Sequence, residues 1–195
     1  IAVAWISPTF EYGSDPAARP IVAVVALLVL AGGAYLCLVY ILTVIGADGR
    51  AITTGIVLGI ALRLAFFFST PVQEDDFYRY LWDGAATAHG HSPYRFSPAQ
   101  LAGDVLNAPA ELRQLRDDAD IVFDRINFPE LTTIYPPVAQ LAFAAAHAIA
   151  PFSLHAWRLV VFALDGTTLV LLLRLLSGAG VSPGHALIYW LNPVL

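Results

Sequence analysis

IVAVVALLVLAGGAYLCLVYILTVI, residues 21–45, runs for 25 residues without a charge. A helix rises 1.5 Å per residue and the hydrocarbon core of a bilayer is about 30 Å thick. The run is therefore long enough to cross a membrane with some tilt. The composition agrees: 58% of the chain is hydrophobic and 13% charged, against roughly 45–50% and about 25% in soluble domains. Mean hydropathy is +0.69.

Outward from this run, the turn GADGR (46–50) leads to a second apolar stretch at 51–68, interrupted only by Arg63. A third is expected at 136–152, a fourth at 157–176 and a fifth beginning at 184 and running to 195. The expected fold is all-α: a polytopic membrane helix bundle, one transmembrane domain over residues 1–195. The chain opens on Ile1, contains no Met and stops inside an apolar stretch; it is expected to be an internal piece of a longer protein. Its net charge of −5 argues against nucleic acid as a partner. The one cysteine, Cys37, lies in an apolar run, so no disulfide framework exists.

Residues 69–135 are polar, Pro-rich and hold most of the charge. The arginines of the short loops divide almost evenly between the two sides, so the positive-inside rule does not orient the chain. Within the loop, PVQEDDFYRYLWDG (71–84) sets three carboxylates, Glu74, Asp75 and Asp76, directly after an apolar segment. From Asp76 to His89 the periodicity predicts a helix. Phe77, Leu81 and Ala85 share one face; Asp76, Arg79, Tyr80 and Asp83 share another. Gly90 is its stop. A second short helix is expected at 109–118, and both are expected to lie on the membrane surface.

The acidic cluster has two readings. Carboxylates at a helix start can satisfy orphan N–H groups and complement the dipole, for roughly 0.3–1 kcal/mol each. Alternatively, one of them is a general base at the membrane boundary. Capping needs one or two acids, not three. Asp165 and Arg63 lie within apolar stretches, where a charge is costly unless paired or wet. They are either a mutual structural pair or a functional site. As a site they would suit a secondary transporter or channel. The aromatics Tyr78, Tyr80, Trp82, Tyr94, Phe96 and Tyr135 form an interfacial belt or a surface for stacking on a sugar. HGH at 89–91 offers two imidazoles, but no third and fourth ligand stands at useful spacing, so no metal is expected. No phosphate loop, nucleophile elbow or zinc-protease motif is present, and no cofactor is expected.

EDDFYRYLWDG, GHSPYRFSP, INFPELTTIYPPVAQLAF and LNP (191–193) follow one another in order. Together with the spans, over residues 51–195, this series resembles bacterial polytopic glycosyltransferases of the GT-C class. Within them it is similar to the polyprenyl-phosphate-mannose-dependent mannosyltransferases and their relatives. The resemblance implies a catalytic base at Asp76, in Asp76-Phe77-Tyr78-Arg79-Tyr80, with Asp75 as its neighbouring acid. The family's G-x-N-P-Y falls on Gly90-His91-Ser92-Pro93-Tyr94, with Ser92 in place of Asn. Its Y-P-P falls on Tyr135-Pro136-Pro137. Substrate contacts are expected from Arg79, Tyr80, Asp83, Tyr94 and Tyr135, and from Arg63 and Asp165 if these face a cavity. The implied partners are a polyprenyl-phosphate sugar, a glycan or glycolipid acceptor and the bilayer. The implied place is the cell membrane, inner where there are two, with loop 69–135 and the active site extracytoplasmic.

Overall fold

The computed structural model describes residues 1–72, 75–103 and 108–193. These residues are all-helical, and no strand occurs among them. In chain order the α-helices are α1 (Ala2–Ile6), α2 (Ile21–Tyr40), α3 (Gly49–Phe67), α4 (Phe77–Ala88) and α5 (Pro98–Ala102). They continue with α6 (Ala110–Ala119), α7 (Ile121–Asp124), α8 (Pro137–Ile149), α9 (Leu154–Gly178) and α10 (Ala186–Trp190). Three segments among the described residues are long and apolar enough to cross a membrane: Ile21–Ile45, Gly49–Phe67 and Leu154–Gly178. They match the expected spans at 21–45, 51–68 and 157–176.

The other two expected spans are corrected. The stretch 136–152 folds as α8, which has 13 residues and a length of about 20 Å at 1.5 Å per residue, well short of the hydrocarbon core. The stretch from 184 begins with the turn Pro183–His185 and the five-residue α10, then leaves the helix at Leu191.

The chain divides into two compact units, Ile1–Val72 with Phe162–Leu195, and Gln73–Val161. In the first unit, α2 continues as a wide π-turn, Ile41–Ile45, and closes at Gly46, whose φ is +88°. Asp48 then caps α3, its Oδ1 accepting from the Ala51 N–H at 2.8 Å. Gly55 and Gly59, one helical turn apart on α3, admit Leu187 and Trp190 of α10. A Cβ on Gly59 would lie 2.0 Å from Trp190 Nε1. The Trp190 indole donates to the Ile56 carbonyl at 3.0 Å.

In the second unit, α4 is central. Eight of its residues, Tyr78, Arg79 and Leu81–Ala86, are buried, so it is not the surface helix its periodicity predicts. Leu81, Trp82 and Ala85 pack into a core with Leu101 of α5, Leu112 and Leu115 of α6, and Val122 and Phe123 of α7. Its other side is covered by α8, so closely that a Cβ on Gly84 would lie 2.4 Å from the Phe143 carbonyl oxygen. Helix α4 ends as the sequence predicts. Gly90 takes φ +77°, its N–H reaches the Thr87 carbonyl at 3.0 Å, and the His91 N–H reaches that of Ala86 at 2.9 Å. That pattern is a Schellman stop. Helix α6 is amphipathic as predicted, with Leu112, Leu115 and Ala119 buried.

Candidate functional site: an aspartate pair held by a tyrosine and an asparagine

The start of α4 gathers most of the predicted site residues. Asp76 is the N-cap of α4, yet its side chain makes no capping bond. The helix start is served instead by its main chain, whose carbonyl accepts from the N–H groups of Arg79 (2.8 Å) and Tyr80 (3.2 Å). The Asp76 carboxylate turns to Tyr135, whose hydroxyl donates to Oδ2 at 2.9 Å. Asp75 is engaged by Asn127, whose Nδ2 donates to Oδ1 at 2.5 Å. Glu74, the third of the cluster, lies outside the described residues. Asp75 is exposed, and Asp76 and Tyr135 are half-buried, so an incoming molecule can reach the pair.

The phenol of Tyr135 is held well above its ordinary pKa, first by burial and then by hydrogen bonds with Tyr80 and Asp76. It therefore stays protonated and remains a donor to Asp76. Its backbone is also fixed. The Tyr94 hydroxyl donates to the Tyr135 carbonyl at 2.5 Å, which brings the segments 90–94 and 135–137 together. Around them the rings of Tyr80, Tyr135, Phe143 and Trp157 form one aromatic cluster. Tyr80 lies stacked on Phe143, with centroids 4.8 Å apart, so that face of its ring is closed to a substrate.

Arg79 and Asp83, expected to face a cavity and touch substrate, are instead enclosed. Arg79 Nη2 donates to the carbonyls of Asn127 (3.2 Å) and Phe128 (3.0 Å). That pair of bonds holds a turn in which Phe128 has φ +48°, a conformation that costs a non-glycine residue on the order of 1–3 kcal/mol. Burial lowers the Arg79 pKa, against the pull of Asp83 and other nearby groups. Asp83 is 1% exposed. Burial pushes its carboxyl up to about 6, opposed by hydrogen bonds from Thr133 and Gln140 and by the charge of Arg79. Each of these enclosed residues supports a partner of the acid pair: Arg79 the Asn127 turn beside Asp75, and Asp83 the polar knot under Tyr135.

That knot was missed from sequence. Gln140 Nε2 donates to Thr133 Oγ1 (3.0 Å), to Asp83 Oδ2 (3.4 Å) and to the Tyr135 carbonyl (3.5 Å). The signal for Gln140 was present, as a single amide inside the apolar run PPVAQLAF. Asn127 and Thr133 carry no comparable mark in a polar loop.

Arg63 and Asp165 belong to the other unit and are bonded to each other there, Arg63 Nε donating to Asp165 Oδ2. Tyr189 donates to Asp165 Oδ1. Arg63 Nη1 donates to the carbonyls of Gly59 (3.2 Å) and Trp190 (2.9 Å), and the guanidinium lies 3.7 Å over the Trp190 ring. The pair ties α3, α9 and α10 together. Of the histidines, His91 Nε2 lies 3.3 Å from Glu111 Oε2 and the His89 and His147 rings are 5.6 Å apart. Among the described residues no group of three or more His, Cys, Asp or Glu side chains could hold a metal ion. Compared with protein-family models, with curated proteins and with solved structures, the chain finds no match in any of the three.

Proposed function

We propose that the chain is part of an integral-membrane glycosyltransferase that moves a sugar from a polyprenyl-phosphate donor to an extracytoplasmic glycan or glycolipid acceptor. The resemblance described above implies mannose as the sugar, in a family whose members use many sugars. One observation carries this reading. The Asp76 carboxylate, which should cap its helix if it were merely structural, is turned onto the Tyr135 phenol beside a cluster of aromatic rings. A carboxylate set among aromatic rings at a reachable edge suits the handling of a sugar hydroxyl.

The chemistry needs only one carboxylate. The acceptor hydroxyl attacks the anomeric carbon. As that C–O bond forms, the bond to the phosphate oxygen breaks, and the hydroxyl proton passes to Asp76. The lipid phosphate leaves without a general acid, unlike the leaving group of a glycosidase, which needs a second carboxyl group. Attack opposite the leaving group inverts the anomeric centre. Tyr135 orients the base, and Asp75 is its charged neighbour. A donor tail dissolved in the bilayer fits a base that follows a span in sequence, nine residues after Phe67. The resemblance implies a lipid-linked donor used on the outer side, and on that reading loop 69–135 and the active site lie outside the cytoplasm.

The donor class is the test. Membranes stripped of polyprenyl phosphate and supplied with a nucleotide sugar alone should show no transfer, and adding polyprenyl-phosphate mannose should start it. Transfer from the nucleotide sugar in stripped membranes would overturn the reading.

A further inference from the structure

Thr133 is 7% exposed, and its hydroxyl oxygen accepts from Gln140 Nε2 at 3.0 Å and from the Tyr135 N–H at 3.3 Å. A hydroxyl has two lone pairs, and these two donors take both. The same Gln140 amide reaches Asp83 Oδ2 at 3.4 Å, so Gln140 is held between Asp83 and Thr133, and the lone pairs of Thr133 fix where the main chain of Tyr135 lies. Gln140 adds its contact to the Tyr135 carbonyl. From that fixed backbone the phenol extends to Asp76 Oδ2. Asp83 is thus a buried carboxylate linked to Tyr135 through Gln140, while the charge of Arg79 lies near both Asp83 and Asp76.

We propose that Thr133 is a positioning residue for Asp76: its buried hydroxyl, bonded at once to Gln140 and the backbone of Tyr135, sets where the Tyr135 phenol meets the Asp76 carboxylate. The contact itself is independent of what the site does; only its effect on turnover rests on the transfer reading. Thr133→Val keeps the side-chain volume and removes the hydroxyl, and Thr133→Ser keeps the hydroxyl. Gln140→Leu removes a second member of the knot by a different route.

The test places 3-fluorotyrosine at position 135 of the full chain in lipid nanodiscs and reads its fluorine resonance. Thr133→Val and Asp76→Asn should each shift the resonance. Combined, they should shift it by less than the sum, because both break one contact. Thr133→Ser should leave it at the wild-type position, and Gln140→Leu should move it in the same direction as Thr133→Val. Turnover of polyprenyl-phosphate mannose is the second reading. A displacement of a reacting group by about 1 Å costs on the order of 100-fold, so Thr133→Val should lower kcat by about 10- to 100-fold with KM for the donor unchanged, and Thr133→Ser should restore it. Additive fluorine shifts, or a Thr133→Ser resonance as displaced as that of Thr133→Val, would overturn the proposal. The fluorine arm needs no turnover: a chain that releases no polyprenyl phosphate sinks the transfer reading and leaves this one to be decided by the shifts.

Discussion

Asp76 and Asp83 stand seven positions apart at one helix, and the fold treats them in opposite ways. Asp76 keeps a reachable carboxylate, whereas Asp83 is sealed beneath Thr133 and Gln140. A carboxyl raised from 3.8 to about 6 by burial holds its proton more tightly in the folded chain than in the unfolded one. Stability therefore falls as pH rises from about 4 to about 6, and above that the cost is fully in. Two pKa units correspond to about 3 kcal/mol. Asp83→Asn cannot ionise and escapes this cost. The difference in thermal midpoint between Asp83→Asn and wild type should grow in favour of the variant as pH rises from 4 to 7. A difference that stays flat over that range would show that the fold does not raise the Asp83 carboxyl above its ordinary value.

Among the elements, the meeting of α4 and α8 shapes the site. It depends on Gly84, where any side chain would meet the backbone of Phe143. Overpacking of this kind typically costs 1–3 kcal/mol. Gly84→Ala should destabilise the chain by about that amount in thermal unfolding and separate Gln140 from Asp83; unchanged stability would mean that the helices are not in such close contact. The period and stop of α4 were legible, because Phe77, Leu81 and Ala85 repeat at helical spacing and Gly90 follows. The role of α8 was read wrongly. The run 136–152 has 17 residues, at the short end of what can span, and length alone does not separate a span from a buried helix. Gln140 and His147 within it, both buried, were the sign that it faces protein. The enclosure of Arg79 and Asp83 was illegible for the same reason: periodicity places residues on a face but does not say what covers that face. For Arg63 and Asp165 the sequence allowed a pair or a transport site, and the structure pairs them. The pair is half-buried; breaking an ion pair withdrawn from water costs up to about 3–5 kcal/mol, and replacing both partners with apolar residues is often neutral. Arg63→Leu should therefore destabilise the chain strongly, and Arg63→Leu with Asp165→Leu should recover most of the loss. A double variant no more stable than the single one would argue against a structural lock.

For the whole molecule, three segments able to cross a membrane accompany a folded, charged unit built around α4. The spans were read from length and hydropathy alone, and they survive because no local contact competes with a run of apolar residues that long. The internal arrangement of the polar unit depends on long-range contacts such as Asn127 with Asp75 and Tyr135 with Asp76, which no spacing rule supplies. The proposed division of labour gives the spans the lipid-linked donor and gives Asp76 the proton. The most direct measurement is release of polyprenyl phosphate from polyprenyl-phosphate mannose by the purified full-length protein with acceptor present, comparing wild type, Asp76→Asn and Asp75→Asn. Because Asp76 starts its helix with its main chain, Asp76→Asn should fold and bind donor normally while losing about 10²- to 10⁴-fold in kcat, and Asp75→Asn should lose less. Wild-type release that Asp76→Asn leaves undiminished, or no release by the wild type, would contradict the account.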